Sequence, residues 1–299
     1  MKPLIVWVML CFVWGTTWIF IKLGLADLPP VSFAATRFSI ACLILLPILL
    51  VQKIEFPKGR DVWLFILITG ILQFFLNYGL LFWGEQYISS GLAAVLQATI
   101  PAFGLILARI YVGEQITLLK IASILLGLGG MAIIFHEQLI LNGRMAFFGS
   151  LAVVGGAFCA AYASVLTKLK GQSLHPASLV FCQILIGHLP LWAVGFWMEG
   201  NPIHFRWTRL AVVSVLYLAI VGSIIAFWMY YWLLTKIDVT KAMMIAFITP
   251  LVAIFVGSFF GENLEIQTLF GGVLILLSVI LIVIKPLMRH KFARIKVGK

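Results

Sequence analysis

The sequence predicts an all-α integral membrane protein with ten transmembrane helices arranged as two inverted five-helix repeats. Of its 299 residues, 63% are apolar and only 10% are charged, whereas about 25% of the residues of an ordinary soluble domain are charged. The chain also contains ten apolar runs long enough to cross a bilayer. Finally, a sequence pattern that begins at Ile88 returns at Ile237. Together, these observations exclude a soluble protein.

The apolar runs are each about 20 residues long, the length that a helix needs to cross the hydrocarbon core. The first run is longer than the apolar segment of a signal peptide, and no clear small-residue cleavage site follows it, so we expect it to be retained. The connections between runs are short and leave no room for an added soluble domain. The predicted spans are 4–25, 31–51, 62–83, 88–110, 116–135, 145–168, 176–198, 208–234, 239–259 and 264–285.

The net charge of +11 is distributed unevenly between the two sides of the predicted membrane. With the N-terminus inside, 16 Lys and Arg residues fall on the cytoplasmic side, 4 fall on the opposite side, and Arg37 lies within a span. This bias follows the positive-inside rule. We therefore expect a multi-pass protein of the inner (plasma) membrane with both termini cytoplasmic. The basic residues set orientation and contact anionic lipid, and they do not indicate a nucleic-acid partner.

The repeat is carried by two segments that end in proline. Residues 88–101 read ISSGLAAVLQATIP and residues 237–250 read IDVTKAMMIAFITP, so the two prolines are 149 positions apart. A Gly-Glu pair follows each segment, at Gly113-Glu114 and at Gly261-Glu262. The spans after these pairs carry small residues on a shared face.

An odd number of spans in each half means that two tandem copies cross the membrane in opposite senses. The predicted units are residues 1–140 and 141–286, followed by a basic tail at 287–299. Inverted repeats give two similar halves that can rock about a site near the bilayer midplane. The organisation therefore favours a transporter over a scaffold or receptor.

Three motifs resemble the EamA-type family of the drug/metabolite transporter superfamily. They are Trp14-Gly15-Thr16-Thr17 in the first span, the Pro30…Arg37-Phe38 start of the second span, and the paired Pro…Gly-Glu segments. The resemblance covers nearly the whole chain. It implies an inner-membrane carrier of small metabolites, commonly an exporter of amino acids or related compounds, and it does not name the substrate.

Pro101 and Pro250 occupy equivalent places in spans four and nine. Each proline frees the backbone carbonyl four residues earlier, at Gln97 and Ala246. A free carbonyl in hydrocarbon must face protein, water or substrate. Two interpretations stay open here: a helix break beside a central cavity, or a packing kink.

Polar amides within spans usually point into the helix bundle. We expect Asn77 and Gln97 to line a cavity, where they can bond the amino and carboxylate groups of a zwitterion. Gln73 is expected to bond a neighbouring helix instead, an interaction worth about 0.6 to 2 kcal/mol.

Aromatic side chains at spacing i, i+4 share a helix face in two spans, as Trp14 and Trp18 do in the first and Phe227 and Tyr231 do in the eighth. A cavity lined by such rings suits an apolar or aromatic group, or a cation. The candidate substrate-binding residues are Trp14, Thr17, Trp18, Asn77, Tyr78, Gln97, Pro101, Tyr162, Phe227, Tyr231 and Pro250.

Two ionisable side chains within spans are further candidates. Arg37 could anchor a substrate carboxylate, but it lies within snorkelling reach of the interface, and we expect a structural role. His188 is a candidate proton site, although a lone helix histidine is more often a packing residue. Glu114 and Glu262 begin spans, and we expect them to cap those helices.

The leading interpretation is a small-metabolite exporter or facilitator, and the alternative is a proton-coupled multidrug or cation exporter. The alternative needs a carboxylate within the membrane, whereas Asp27, Glu85, Glu114, Glu199 and Glu262 all lie at span ends. A membrane enzyme is not expected, because the spans contain neither Gly-x-Ser-x-Gly nor HExxH. No metal site or cofactor is predicted, and substrate identity, direction, coupling ion and oligomeric state are left open.

Overall fold

A computed structural model describes residues 2–88, 90–136, 143–258 and 266–284. These residues form helices, and no β-strand occurs among them. Gly261, Glu262 and the basic tail at 287–299 lie outside the described residues. The helices are α1 (Pro3–Leu25), α2 (Pro30–Val51), α3 (Arg60–Glu85), α4 (Ser90–Gln97), α5 (Ile100–Tyr111), α6 (Leu118–Ile134), α7 (Arg144–Lys170), α8 (Pro176–Glu199), α9 (Arg209–Lys236), α10 (Val239–Met243), α11 (Ile245–Ser258) and α12 (Ile266–Val279).

Within the described part of the chain, eight helical segments are long enough to span the membrane. One of them consists of α4 and α5 together, and another of α10 and α11 together. Two shorter apolar helices, Leu118–Ile134 and Ile266–Ile282, accompany them. At about 1.5 Å per residue the first of these is about 25 Å long, somewhat less than the roughly 30 Å hydrocarbon core. The protein is therefore an all-helical, multi-pass membrane protein.

Two of the long helices contain a π-helical turn at matching positions. The turn in α3 begins at Ile71 and the turn in α9 begins at Ile220, which are 149 residues apart. This is the same offset that separates Pro101 from Pro250. A π-helical turn widens the helix locally and is often found at functional sites. Both turns contribute residues to the cavity described below.

The helices of one half pack mainly on helices of the other half. Helix α2 packs on α8, α6 packs on α12, α1 packs on α11, and α5 packs on α7. These contacts are symmetric with respect to the two halves. If each helix is replaced by its equivalent in the other half, the contact of α1 with α11 becomes that of α7 with α4 and α5. The contact of α2 with α8 and that of α6 with α12 are unchanged by this replacement.

The contact of α6 with α12 is made through small residues. A Cβ on Gly130 would lie 2.6 Å from the carbonyl oxygen of Gly271, and one on Gly271 would lie 2.5 Å from the carbonyl oxygen of Gly130. Ser123 and Ser278, on the same faces, are fully buried. Small residues allow this close backbone approach between membrane helices, whose association depends on packing.

Candidate functional site

A cavity of about 190 Å³ lies among the helices of both halves. Its wall is formed by residues of α1, α2, α3, α4, α5, α7, α9, α10 and α11. Of the candidate substrate-binding residues and the two ionisable candidates Arg37 and His188, nine line it: Trp14, Thr17, Trp18, Arg37, Asn77, Tyr78, Gln97, Phe227 and Pro250.

The π-helical turn of α3 directs its polar residues to the cavity. Gln73 and Asn77 are both buried and both line it. Gln97 Nε2 donates to Asn77 Oδ1 at 3.5 Å and to the carbonyl oxygen of Val153 at 3.4 Å. These long hydrogen bonds are weak, so the amides can exchange them for bonds to a solute.

Aromatic rings form one wall. Phe227 lies edge-on to Trp14 at 5.6 Å and to Phe74 at 4.8 Å between ring centroids. Trp14 Nε1 donates to the carbonyl oxygen of Gly222, in the π-helical turn of α9, at 3.3 Å. Gly222 itself lines the cavity. It is the residue equivalent to Gln73 under the 149-residue offset, as Phe227 is to Tyr78, so both π-helical turns line the cavity.

Proline marks an interruption in the first half only. Helix α4 ends at Gln97, and Ala98 and Thr99 form a turn before α5 begins at Ile100, with Pro101 at its second position. The adjacent Ile100 lines the cavity, and Pro101 does not. In the second half, the helix is interrupted at Met244, between α10 and α11, and Pro250 lies six residues later inside α11.

Three other sequence candidates lie away from the cavity lining. On α7 the cavity-facing side is formed by Ala160 and Ser164, so Tyr162 points elsewhere. Its hydroxyl donates to that of Tyr111 at 3.2 Å. The buried Tyr231 hydroxyl donates to Gln183 Oε1. His188 Nδ1 lies 2.9 Å from the carbonyl oxygen of Ile184, one turn earlier in its own helix, as expected of a packing residue.

A charged cluster lies beneath the cavity, on the other side of the short helix α10. Ala242 and Met243 of α10 line the cavity, while Glu114 accepts hydrogen bonds from the Val239 N–H at 2.6 Å and the Thr240 hydroxyl at 2.8 Å. Glu114 also pairs with the buried Lys120 at 3.1 Å. The expectation that Glu114 caps its own helix is thus wrong, because its carboxylate caps α10. Thr117 accepts from the Lys120 N–H and caps α6 instead.

Asp238 extends this cluster outside the spans. Its carboxylate lies 2.9 Å from Lys241 Nζ and 3.8 Å from Lys120 Nζ. Burial opposes its ionisation, but the hydrogen bond from Lys241 and the charges of Lys241, Lys120 and Lys168 outweigh burial. The pKa of Asp238 is therefore lowered below its ordinary value.

The model of the EamA-like transporter family matches residues 1–136 and 147–284. The chain belongs to this family. It is 28% identical to "Uncharacterized transporter YoaV" of Bacillus subtilis (strain 168), covering 88% of this chain and 90% of that one. It is also 28% identical to "Uncharacterized inner membrane transporter YedA" of Escherichia coli (strain K12), covering 89% and 86%. A solved crystal structure that is 16% identical superposes with a TM-score of 0.80 over 93% of this chain and 97% of its own.

Membership in the EamA-like family makes the protein a membrane transporter, as the resemblance implied. Sequence patterns missed two features of its cavity. Glu85 ends its helix, as the sequence predicted, and it also lines the cavity. Gln73, expected to bond a neighbouring helix, also lines it. The 149-residue offset could have identified Gly222 as a cavity residue, since its equivalent is Gln73.

Proposed function

We propose that this chain moves small organic solutes such as amino acids across the inner membrane, as an exporter or facilitator, by alternating access around the cavity. In this proposal, residues 1–140 and 141–286 form two inverted five-helix repeats that give ten transmembrane helices. The tail at 287–299 and both termini are cytoplasmic. The observation that carries the proposal is a polar and aromatic cavity to which both halves contribute equivalent residues.

The size of the cavity favours a small solute. Pockets for drug-sized ligands usually occupy about 300–1,000 Å³, whereas this cavity measures about 190 Å³. Its polar side chains, such as Asn77 and Gln97, suit hydrogen bonding, and its rings suit an apolar side chain. A metabolite with both kinds of group matches the lining.

The paired contacts between halves support the inverted repeat. Rocking requires two halves of similar structure whose contacts can be exchanged. The π-helical turns that begin at Ile71 and Ile220 are a structural feature that the two halves share. In the orientation proposed from the positive-inside bias, the Glu114 cluster faces the cytoplasm and Glu85 faces the outer side.

The alternative, a proton-coupled multidrug or cation exporter, gains one specific observation. Glu85 supplies the cavity carboxylate that such a transporter needs to exchange a cation for protons. The volume of the cavity and the presence of Arg37 in its lining favour the metabolite interpretation.

The test is uptake by purified protein in liposomes of aromatic, branched and small amino acids and one lipophilic cation, with and without a pH gradient. We expect flux of an amino acid that is reduced in Asn77→Ala and Gln97→Ala. Tyr162→Phe, outside the cavity, is the matched control and should transport normally. Proton-dependent flux of the cation alone would support the alternative, and absence of any flux would contradict both.

A further inference from the structure

Arg37 is a buried cation in the cavity wall. Its side chain is only 3% exposed, and it lines the cavity together with Tyr78. The guanidinium carbon lies 4.5 Å from the centroid of the Phe38 ring and 4.7 Å from that of Tyr78. Within the described part of the chain no carboxylate pairs with it, and its buried Nε has no hydrogen-bond partner.

A buried charge of this kind is costly unless it is paired and hydrogen-bonded. The two rings attract the guanidinium by cation–π interaction and hold its position, but they accept none of its N–H bonds in the plane. A guanidinium presents donors in a fixed fork that matches a carboxylate. The side chain is thus oriented for an anion that the described protein groups do not supply.

Glu85 gives the same cavity an opposite charge. It follows Tyr78 by seven residues on α3, so the two lie on one side of the helix about 10 Å apart along its axis. Across the described residues, Glu85 makes no side-chain hydrogen bond and no ion pair, and it is more than 4 Å from the nitrogens of Arg37. The two charges therefore face one cavity without neutralising each other directly.

We infer that Arg37 binds the carboxylate and Glu85 the ammonium group of a solute that carries both. The inference rests on the proposed function and specifies the charge of its substrate. It also assigns Arg37 a role in binding where sequence reasoning expected a structural one. Gln73, Asn77 and Gln97 lie in the same lining and supply neutral hydrogen bonds around the two charged groups.

The test compares four groups of probes by calorimetric titration of the full-length protein in detergent. The first holds L-phenylalanine, L-leucine, L-alanine and L-lysine, which carry both charges. Phenethylamine lacks the carboxylate, phenylpropionate lacks the ammonium group, and benzyl alcohol carries no charge. The variants are Arg37→Gln, Arg37→Lys and Glu85→Gln.

Two control variants match the charges that are removed. Arg144→Gln removes an exposed arginine that also contacts a ring, that of Phe148 at 5.7 Å, outside the cavity. Glu55→Gln removes an exposed glutamate that pairs with Lys58. Neither should change binding.

We expect at least one amino acid to bind more tightly than phenethylamine, phenylpropionate and benzyl alcohol. Arg37→Gln should weaken binding of that amino acid about tenfold or more, as expected for loss of a charged hydrogen bond, and leave phenethylamine unaffected. Glu85→Gln should weaken binding of the amino acid and of phenethylamine but not binding of phenylpropionate. Arg37→Lys should retain part of the affinity, which separates loss of charge from loss of fold.

Binding and flux distinguish this inference from the proposed function. Binding that depends on Arg37 without flux in liposomes would contradict transport and leave the site in place. Amino acid flux that is equal in wild type and Arg37→Gln would contradict the site and leave transport in place. If no carboxylate-bearing probe binds, or if phenethylamine binds as tightly as the amino acids, the inference is wrong.

Discussion

Glu114 Oε1 accepts a hydrogen bond from the backbone N–H of Val239 at 2.6 Å, so a residue of the first half caps a helix of the second half. The other carboxylate oxygen accepts from the Thr240 hydroxyl and pairs with Lys120 Nζ. Because α10 forms part of the cavity wall, this one carboxylate connects the two halves directly below the cavity.

Glu114→Gln should destabilise the protein, because it removes the nearer carboxylate partner of the buried Lys120 and leaves Asp238, at 3.8 Å, as its remaining ion-pair partner. Removing one partner of a buried pair costs about 3–5 kcal/mol, and both side chains here are less than 10% exposed. Thermal unfolding in detergent measures the effect. Glu55→Gln removes one partner of an ion pair in which both side chains are about 80% exposed, so it should leave the unfolding temperature almost unchanged. Equal losses in the two variants would contradict the structural role of Glu114.

Gly130→Ala should weaken the contact of α6 with α12. The added Cβ would lie 2.6 Å from a backbone oxygen of Gly271, which cannot rotate away, and overpacking of this kind costs about 1–3 kcal/mol. The adjacent Gly129→Ala is the control, because its Cβ would meet no atom within 4 Å. It should be neutral or stabilise the helix by up to about 1 kcal/mol. The measurement is the unfolding temperature of each variant. A lower unfolding temperature for Gly129→Ala than for Gly130→Ala would contradict the prediction.

Glu199→Ala should loosen the start of α2. The Glu199 carboxylate accepts from the N–H groups of Val31 at 2.9 Å and Ser32 at 2.8 Å, at the N-terminus of that helix. Loss of a helix cap costs about 0.5–2 kcal/mol, and the favourable interaction of the charge with the helix dipole is also lost. Hydrogen exchange of the Val31 and Ser32 amides should accelerate, while that of amides in the middle of α2 should not.

Asp238 should make stability depend on acidity. Its folded-state pKa lies below its ordinary value of 3.8, so the ionised carboxylate stabilises the folded protein above the unfolded pKa. This contribution disappears as the pH falls through the lower, folded-state pKa. The difference in unfolding temperature between wild type and Asp238→Asn should thus be largest at neutral pH. It should shrink as the pH falls below 3.8. A difference that grows on acidification would contradict the sign.

Phe227→Ala should reduce the affinity of the cavity for an aromatic or branched solute. The ring contacts Trp14 and Phe74, and loss of aromatic contacts lowers binding about two- to tenfold. The measurement is the concentration of half-maximal uptake in liposomes. His188→Gln, which lies away from the cavity lining, should leave that concentration unchanged.

Apolar run length predicted the helices well, because it follows directly from the thickness and polarity of the bilayer. The boundary at Gln97 was also within reach, since a proline follows four residues later. The offset that pairs Pro101 with Pro250 likewise pairs the π-helical turns at Ile71 and Ile220.

The direction of individual side chains was harder to predict. Tyr162 is a candidate by residue type, but Ala160 and Ser164 form the cavity-facing side of α7 and Tyr162 lies outside the lining. A run of apolar residues ends at Glu85, and the end of a run predicts a position at the membrane interface. Its place in the cavity depends on the π-helical turn and on the packing of other helices around α3, which one helix's periodicity does not contain.

The contacts of α1 have a consequence for biosynthesis. Trp14 donates to the carbonyl of Gly222, and Trp7 donates to that of Lys241 at 3.0 Å, across 208 and 234 residues of chain. At a synthesis rate of about 5–20 residues per second, α1 waits roughly 10–50 s for these partners to emerge. During that interval both indole N–H groups need temporary acceptors, such as lipid carbonyls or water at the membrane interface. Because α1 is made well before α9 and α10, it reaches these native neighbours late, which makes assembly of this transporter sensitive to truncations that remove α9 or α10.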